Sequence, residues 1–204
     1  ITESNSGIEA RYEIFDVRKK SKIRSSKVYG VTNNVRQLSH YVSDGIYEAI
    51  TGIQGVASTK ILYVSQINDL DASYRLYVAD ADGANEQLLV KSPEPIISQA
   101  WSPDSKKVAY VSFETGIANV YIQDISTGQR QSIIKKRCLT CISNEQISSP
   151  SWSPDGKYLS LTLYQDGNAE IYIYNLQKRN LTRLTNHYSI CLLYTSDAAD
   201  EYSG

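Results

Sequence analysis

By residue type and spacing, Cys138 and Cys141 in "IIKKRCLTCISNEQ" are the pair best suited to redox or metal chemistry. A zinc site would need two further thiolate or imidazole ligands, and the only histidines, His40 and His187, are remote in sequence. A thioredoxin-type pair would open a helix after a strand, and "CISNEQ" offers no convincing helical continuation. The pair therefore reads as an inert or stapling loop, with a labile disulfide between Cys138 and Cys141 as the alternative. No catalytic residue, metal site or cofactor is assigned. The stretch "DADGAN" (Asp80 to Asn85) has the look of a calcium loop. Its Gly falls too early for an EF-hand, however, and the closing bidentate Glu is missing, so a hairpin turn is the better reading. The basic run "VRKKSKIRSSK" (Val17 to Lys27) carries no interleaved aromatic and reads as the solvated tip of a hairpin rather than a nucleic-acid patch.

Bulk composition excludes some classes. The 204 residues are 41% hydrophobic and 21% charged, with a formal net charge of −1, which supplies no long-range field toward nucleic acid or an anionic membrane. No apolar stretch approaches the ~20 residues of a membrane span. The chain begins at Ile1 and contains no Met, so it reads as a piece of a longer protein. Its end, "CLLYTSDAADE" from Cys191, matches the in-frame translation of a transposase sequencing adapter, and residues 191–204 are expected to stand outside the fold.

The elements that would position these residues fall into two kinds. "IEARYEIFDV" and "SKIRSSKVYGV" predict two strands around the basic turn. "TNNVRQLSHYVSDGIYEAITG" predicts a helix, capped by Asn33 or Asn34 and ended by Gly52, with Leu38, Val42, Ile46 and Ile50 forming its buried stripe. His40 lies off that stripe and is expected at the surface. Residues 1–52 then form the remnant of an N-terminal α/β domain, and 53–60 a linker.

From Ile61 to about residue 190 the chain predicts only short strands bounded by Gly, Pro, Asp or Asn. It also repeats itself. Trp101, Tyr110, Gly116, Tyr121 and Asp124 align at a constant offset of 51 with Trp152, Leu161, Gly167, Tyr172 and Asn175. A looser earlier copy is seen in "ILYVS" and "LYVADADG". Three copies of one four-stranded unit is the economical description. In the two regular copies, a Trp ends strand one, Ser-Pro-Asp makes a tight turn, and strand two follows. In "KVAYVSF" that strand is apolar on both faces, as a sheet packed between two neighbours requires. Antiparallel order then places Pro93–Ser98, Phe113–Ala118, Arg137–Ser149 and Tyr164–Ala169 at one end of the sheets, where binding residues concentrate.

The repeats "AWSPDSKKVAYVSFETGIANVYIQDISTGQ" and "SWSPDGKYLSLTLYQDGNAEIYIYNLQKRNLTRLT", with the helix–"AITGI"–strand junction before them, resemble the TolB family, the periplasmic propeller component of the Tol-Pal system. That resemblance implies an incomplete all-β propeller, about three blades of a six-bladed WD40-like (PD40) one, preceded by the C-terminal part of an α/β domain. It implies no catalysis, a periplasmic location and no cofactor. It also implies contact with the peptidoglycan-associated lipoprotein Pal at the channel mouth, and with the inner-membrane Tol protein TolA through a segment not in this sequence. The mouth positions matching the family are Ile97, Ser98, Gln146, Ser148 and Ser149. The rival reading is the accessory propeller of a prolyl-oligopeptidase-like serine peptidase, whose G-x-S-x-G elbow would lie outside this sequence.

Overall fold

The computed structural model describes residues 2–4, 7–31, 34–67, 73–133, 147–165, 168–187 and 191. Cys138, Cys141, Gln146 and the stretch from 192 onward lie outside the described residues. The chain divides into two compact units, Ile1–Ile61 with Val78–Gln87, and Leu62–Tyr77 with Leu88–Gly204.

In the first unit, β1 (Thr2–Ser4), β2 (Gly7–Asp16) and β3 (Ser21–Gly30) form an antiparallel sheet in that order, followed by helix α1 (Val35–Thr51). Side chains alternate along β2, so Ile8 and Ala10 turn to the helix and pack with Leu38, Val28 and Val42. The Asn34 side chain caps α1 by accepting from the Gln37 amide at 3.2 Å. Gly52, left-handed at φ 76, closes it by donating to the Glu48 carbonyl. Gly45 permits the close approach of helix and sheet, since a Cβ there would meet the Tyr12 hydroxyl at 2.0 Å.

The expected helical stripe is only half realised. Leu38 is 4% exposed whereas Ile50 is 67% exposed. Each step of four residues turns about 40° beyond a full circle, so three steps carry Ile50 roughly 120° away from the face that Leu38 buries. Beyond the helix, Asp44 accepts the amides of Ala57 and Ser58 at 2.6 and 2.9 Å, drawing the linker against α1. His40, expected at the surface, is 15% exposed and bonds Asp82 at 3.0 Å, which also accepts from Arg36. Asp80 receives Lys60 and Asn85. The carboxylates of the 80–85 turn are thus engaged by protein donors.

The second unit holds most of a three-stranded sheet, β4 (Lys60–Ile67), β5 (Ser73–Asp80) and β6 (Gln87–Ser92). Two four-stranded sheets follow in up-and-down order. One comprises β7 (Ile96–Trp101), β8 (Lys107–Ser112), β9 (Asn119–Asp124) and β10 (Arg130–Ser132). The other comprises β11 (Ile147–Trp152), β12 (Tyr158–Gln165), β13 (Asn168–Asn175) and β14 (Asn180–Arg183). The expectation of three four-stranded copies needs correction at the first. "ILYVS" corresponds to strand two of the later copies, and strand one has no counterpart among the described residues.

Strand β8 is buried on both faces. Val108 and Tyr110 pack with Leu76, Val90 and Ile96, while Ala109 and Val111 pack with Leu159, Leu161 and Leu163. At about 25 cal/mol per Å² of apolar surface removed from water, this two-sided burial is what makes neighbouring sheets adhere.

The Ser-Pro-Asp turns explain their own repetition. Ser102 accepts from the Lys107 amide at 2.9 Å and donates to Asp104 at 2.6 Å. Asp104 also accepts the Lys106 amide. Ser153, Asp155, Lys157 and Tyr158 repeat the pattern. The serine hydroxyl, then the following amide, holds each aspartate below the usual carboxylate range. The duplicated Trp has a structural use as well: Trp152 Nε1 donates to the Ala100 carbonyl at 3.3 Å, tying β11 to β7 of the adjacent sheet.

Candidate partner-binding face

A cleft of about 330 Å³ lies between the two Ser-Pro-Asp turns, lined by Pro103, Asp104, Lys107, Trp152, Pro154 and Asp155. Both turns therefore share one end of the two packed sheets, and the starts of β7 and β11 lie at the other. There Ile96, Ser112 and Asn119 stand in one row, and Leu163 and Glu170 in the corresponding row of the next sheet.

At this end the innermost strands carry a matched irregularity. Pairing of β7 with β8 passes from Ile97↔Val111 to Ala100↔Ala109, so Ser98 and Gln99 oppose Tyr110 alone. Pairing of β11 with β12 passes from Ser148↔Thr162 to Ser151↔Ser160, so Ser149 and Pro150 oppose Leu161 alone. Each is a two-against-one bulge. The first residue of each is left-handed, with φ of 54 at Ser98 and 56 at Ser149. Glycine is the usual occupant of such a position, and an L-residue costs roughly 1–2 kcal/mol there.

Among the expected contact residues, Ile97 is 40% exposed beside the first bulge, and Ser98 and Ser149 are half-buried. Ser148 lies on β11 with its side chain outside the described part, and Gln146 is wholly outside it. Sequence spacing aligned Ser98 with Ser149. The left-handed backbone that they share left no trace in residue type, because serine rather than glycine occupies both positions.

Two charged groups brace this end. Glu114, in the β8–β9 loop, holds Arg130 at 2.9 Å, and the guanidinium lies 5.1 Å over the Tyr121 ring. Glu170 is fully buried at the start of β13. It accepts from Thr185 Oγ1 and from the His187 amide and Arg183 Nη2, both at 2.8 Å. These donors, the Thr185 hydroxyl foremost, hold its carboxyl down to about 2. Sequence reading passed over Glu170, although a lone carboxylate in "NAEIYIYN" was the available signal. Among the described residues, no group of three or more His, Cys, Asp or Glu could hold a metal ion, and no helix is long and apolar enough to cross a membrane.

Consecutive antiparallel sheets, each four strands in up-and-down order and packed face to face through a duplicated Trp-Ser-Pro-Asp unit, define the class as β-propeller. The family model described as TolB beta propeller domain matches residues 47–196. The chain belongs to that family. It is 44% identical over 167 residues to the Tol-Pal system protein TolB of Alcanivorax borkumensis, a match that covers 81% of this chain and 37% of that one. With the Tol-Pal system protein TolB of Ruthia magnifica it shares 38% identity over 176 residues, covering 85% of this chain and 40% of the relative. The solved structure of TolB from Acinetobacter baumannii superposes with a TM-score of 0.79 at 40% identity, covering 91% of this chain and 45% of that one. The chain therefore spans about two-fifths of the length of these curated relatives.

Proposed function

We propose that the chain is part of a non-catalytic, periplasmic interaction scaffold of the Tol-Pal system. On this reading, the end of the sheets that carries Ile97, Ser98, Gln146, Ser148 and Ser149 receives the lipoprotein Pal, in support of outer-membrane integrity and cell division. The inner-membrane Tol proteins engage a different segment of the full-length protein. The observation that carries the reading is the pair of left-handed bulges at Ser98 and Ser149. Backbone held in a costly conformation at equivalent points of two neighbouring sheets is typical of contact sites prepared in advance. The exposed Ile97 supplies an apolar anchor beside it.

Binding of the full-length protein to purified Pal tests this. Ser98→Arg and Ser149→Arg place long charged side chains on the proposed contact and should each weaken binding at least about tenfold, since an ill-fitting desolvated charge costs more than 1.4 kcal/mol. Unchanged affinity in both variants, with unchanged melting temperature, would remove these residues from the contact.

A further inference from the structure

The basic run acquires a second property once its side chains are placed. Strands β2 and β3 form a hairpin whose turn spans residues 17–20, tightened by the Arg18 and Lys19 amides on the Asp16 carboxylate, both at 2.9 Å. Cations on the stem are matched within the unit. Lys22 meets Glu13 at 2.7 Å, Arg24 meets Glu48 at 2.7 Å, and Arg11 and Lys27 share Glu9 at 3.3 and 3.6 Å. At the tip, Arg18, Lys19 and Lys20 are all exposed, and none belongs to an ion pair among the described residues. Positive charge is thus cancelled along the stem and concentrated at the turn.

Apolar side chains stand beside that charge. Val17 is 86% exposed, Phe15 55% and Ile23 48%. Ile23 is the extra residue of a bulge, since register passes from Ile14↔Arg24 to Phe15↔Lys22, and bulges re-aim side chains away from the ladder. Phe15 lies under the Lys22 ammonium, 5.6 Å from its ring centroid, so Val17 and Ile23 are the aliphatic pair that flanks the tip. A nucleic-acid site would use the cations but has little use for Val17 and Ile23, because affinity there comes from phosphate contacts and base stacking. Cations level with phosphate headgroups and aliphatic groups reaching just below them are the pairing that an anionic bilayer surface rewards.

We infer that the β2–β3 hairpin tip is a shallow docking element for an anionic lipid surface, with Arg18, Lys19 and Lys20 on the headgroup phosphates and Val17 and Ile23 at the acyl boundary. The inference rests on the first unit alone and is independent of Pal binding. Each cation near such a surface contributes about a fivefold gain in partitioning, so three contribute about 100-fold. Binding should be weak and reversible, and should fade as salt shortens the screening length.

Co-sedimentation of the purified protein with vesicles provides the test, using pure phosphatidylcholine against phosphatidylcholine with roughly a third phosphatidylglycerol. Binding is expected only to the anionic vesicles. It should fall about 100-fold in the triple variant Arg18→Gln, Lys19→Gln, Lys20→Gln. Val17→Asp, which leaves all three cations in place, should also weaken it, and the melting temperature should not move because every substituted side chain is exposed. Equal binding to both vesicles, or a triple variant that still sediments, would overturn the inference. So would a Val17→Asp variant of full affinity whose vesicle binding is displaced by a single-stranded oligonucleotide at equal phosphate concentration, since that outcome describes a polyanion site without membrane insertion.

Discussion

Ser98 and Ser149 show how one residue can carry a cost that its type does not announce. Both hold left-handed backbone that glycine would adopt more readily. Replacing either with glycine relieves the steric strain but adds chain entropy to the unfolded state. Urea unfolding should therefore show Ser98→Gly or Ser149→Gly unchanged or stabilised by up to about 1 kcal/mol. A β-branched residue is least tolerated at positive φ, so Ser98→Val should lose about 1–2 kcal/mol in the same assay. Trp152 makes the opposite kind of contribution, bridging two sheets through its indole N–H. Trp152→Phe keeps most of the packing and removes the donor, at an expected loss of about 0.5–1.5 kcal/mol.

At the scale of the element, the repeated turn and the start of β13 depend on polar groups that are fully used. Ser153→Ala removes the acceptor for the Tyr158 amide and the donor to Asp155. It should lower stability by about 1 kcal/mol, and Asp155 should titrate at higher pH, since that hydroxyl is the first cause of its depressed value. Glu170 makes the fold sensitive to acid in a defined direction. Its carboxyl is held at about 2 in the folded chain against an ordinary 4.5, so the folded state binds that proton later than the unfolded state does. The stabilisation is therefore present in full above about pH 5 and is lost as pH falls toward 2. Glu170→Gln should be less stable at neutral pH, and its denaturation midpoint should change less between pH 5 and 2.5. An identical pH dependence in the two proteins would remove Glu170 from that role.

In the molecule as a whole, sheets adhere by faces, and two faces lack a covering sheet among the described residues. One bears the stacked Tyr63 and Tyr77, with ring centroids 5.4 Å apart. The other bears the half-buried Ile171 and Ile173. Sedimentation of the chain alone should show concentration-dependent self-association, and a longer chain that supplies the neighbouring sheets should be monomeric at the same concentrations. The repeat, the turns and the two-sided burial of β8 were legible in the sequence because they are local. Proline and aspartate prepare a turn wherever they occur, and a strand that is apolar on both faces needs two neighbours whichever they are. Packing partners were not legible. The slip of Ile50 out of the buried stripe depends on where the sheet lies around the helix axis, and the capture of His40 by Asp82 joins residues 42 positions apart. Composition and spacing alone determined that this chain builds repeated antiparallel sheets with paired loops at one end. Only the tertiary structure decided that two serines there would be forced left-handed and that, among the described residues of the first unit, the unpaired cations would gather at the hairpin tip. Strain and charge cancellation both depend on the opposing strand or side chain, and the chain does not bring those neighbours together until it folds.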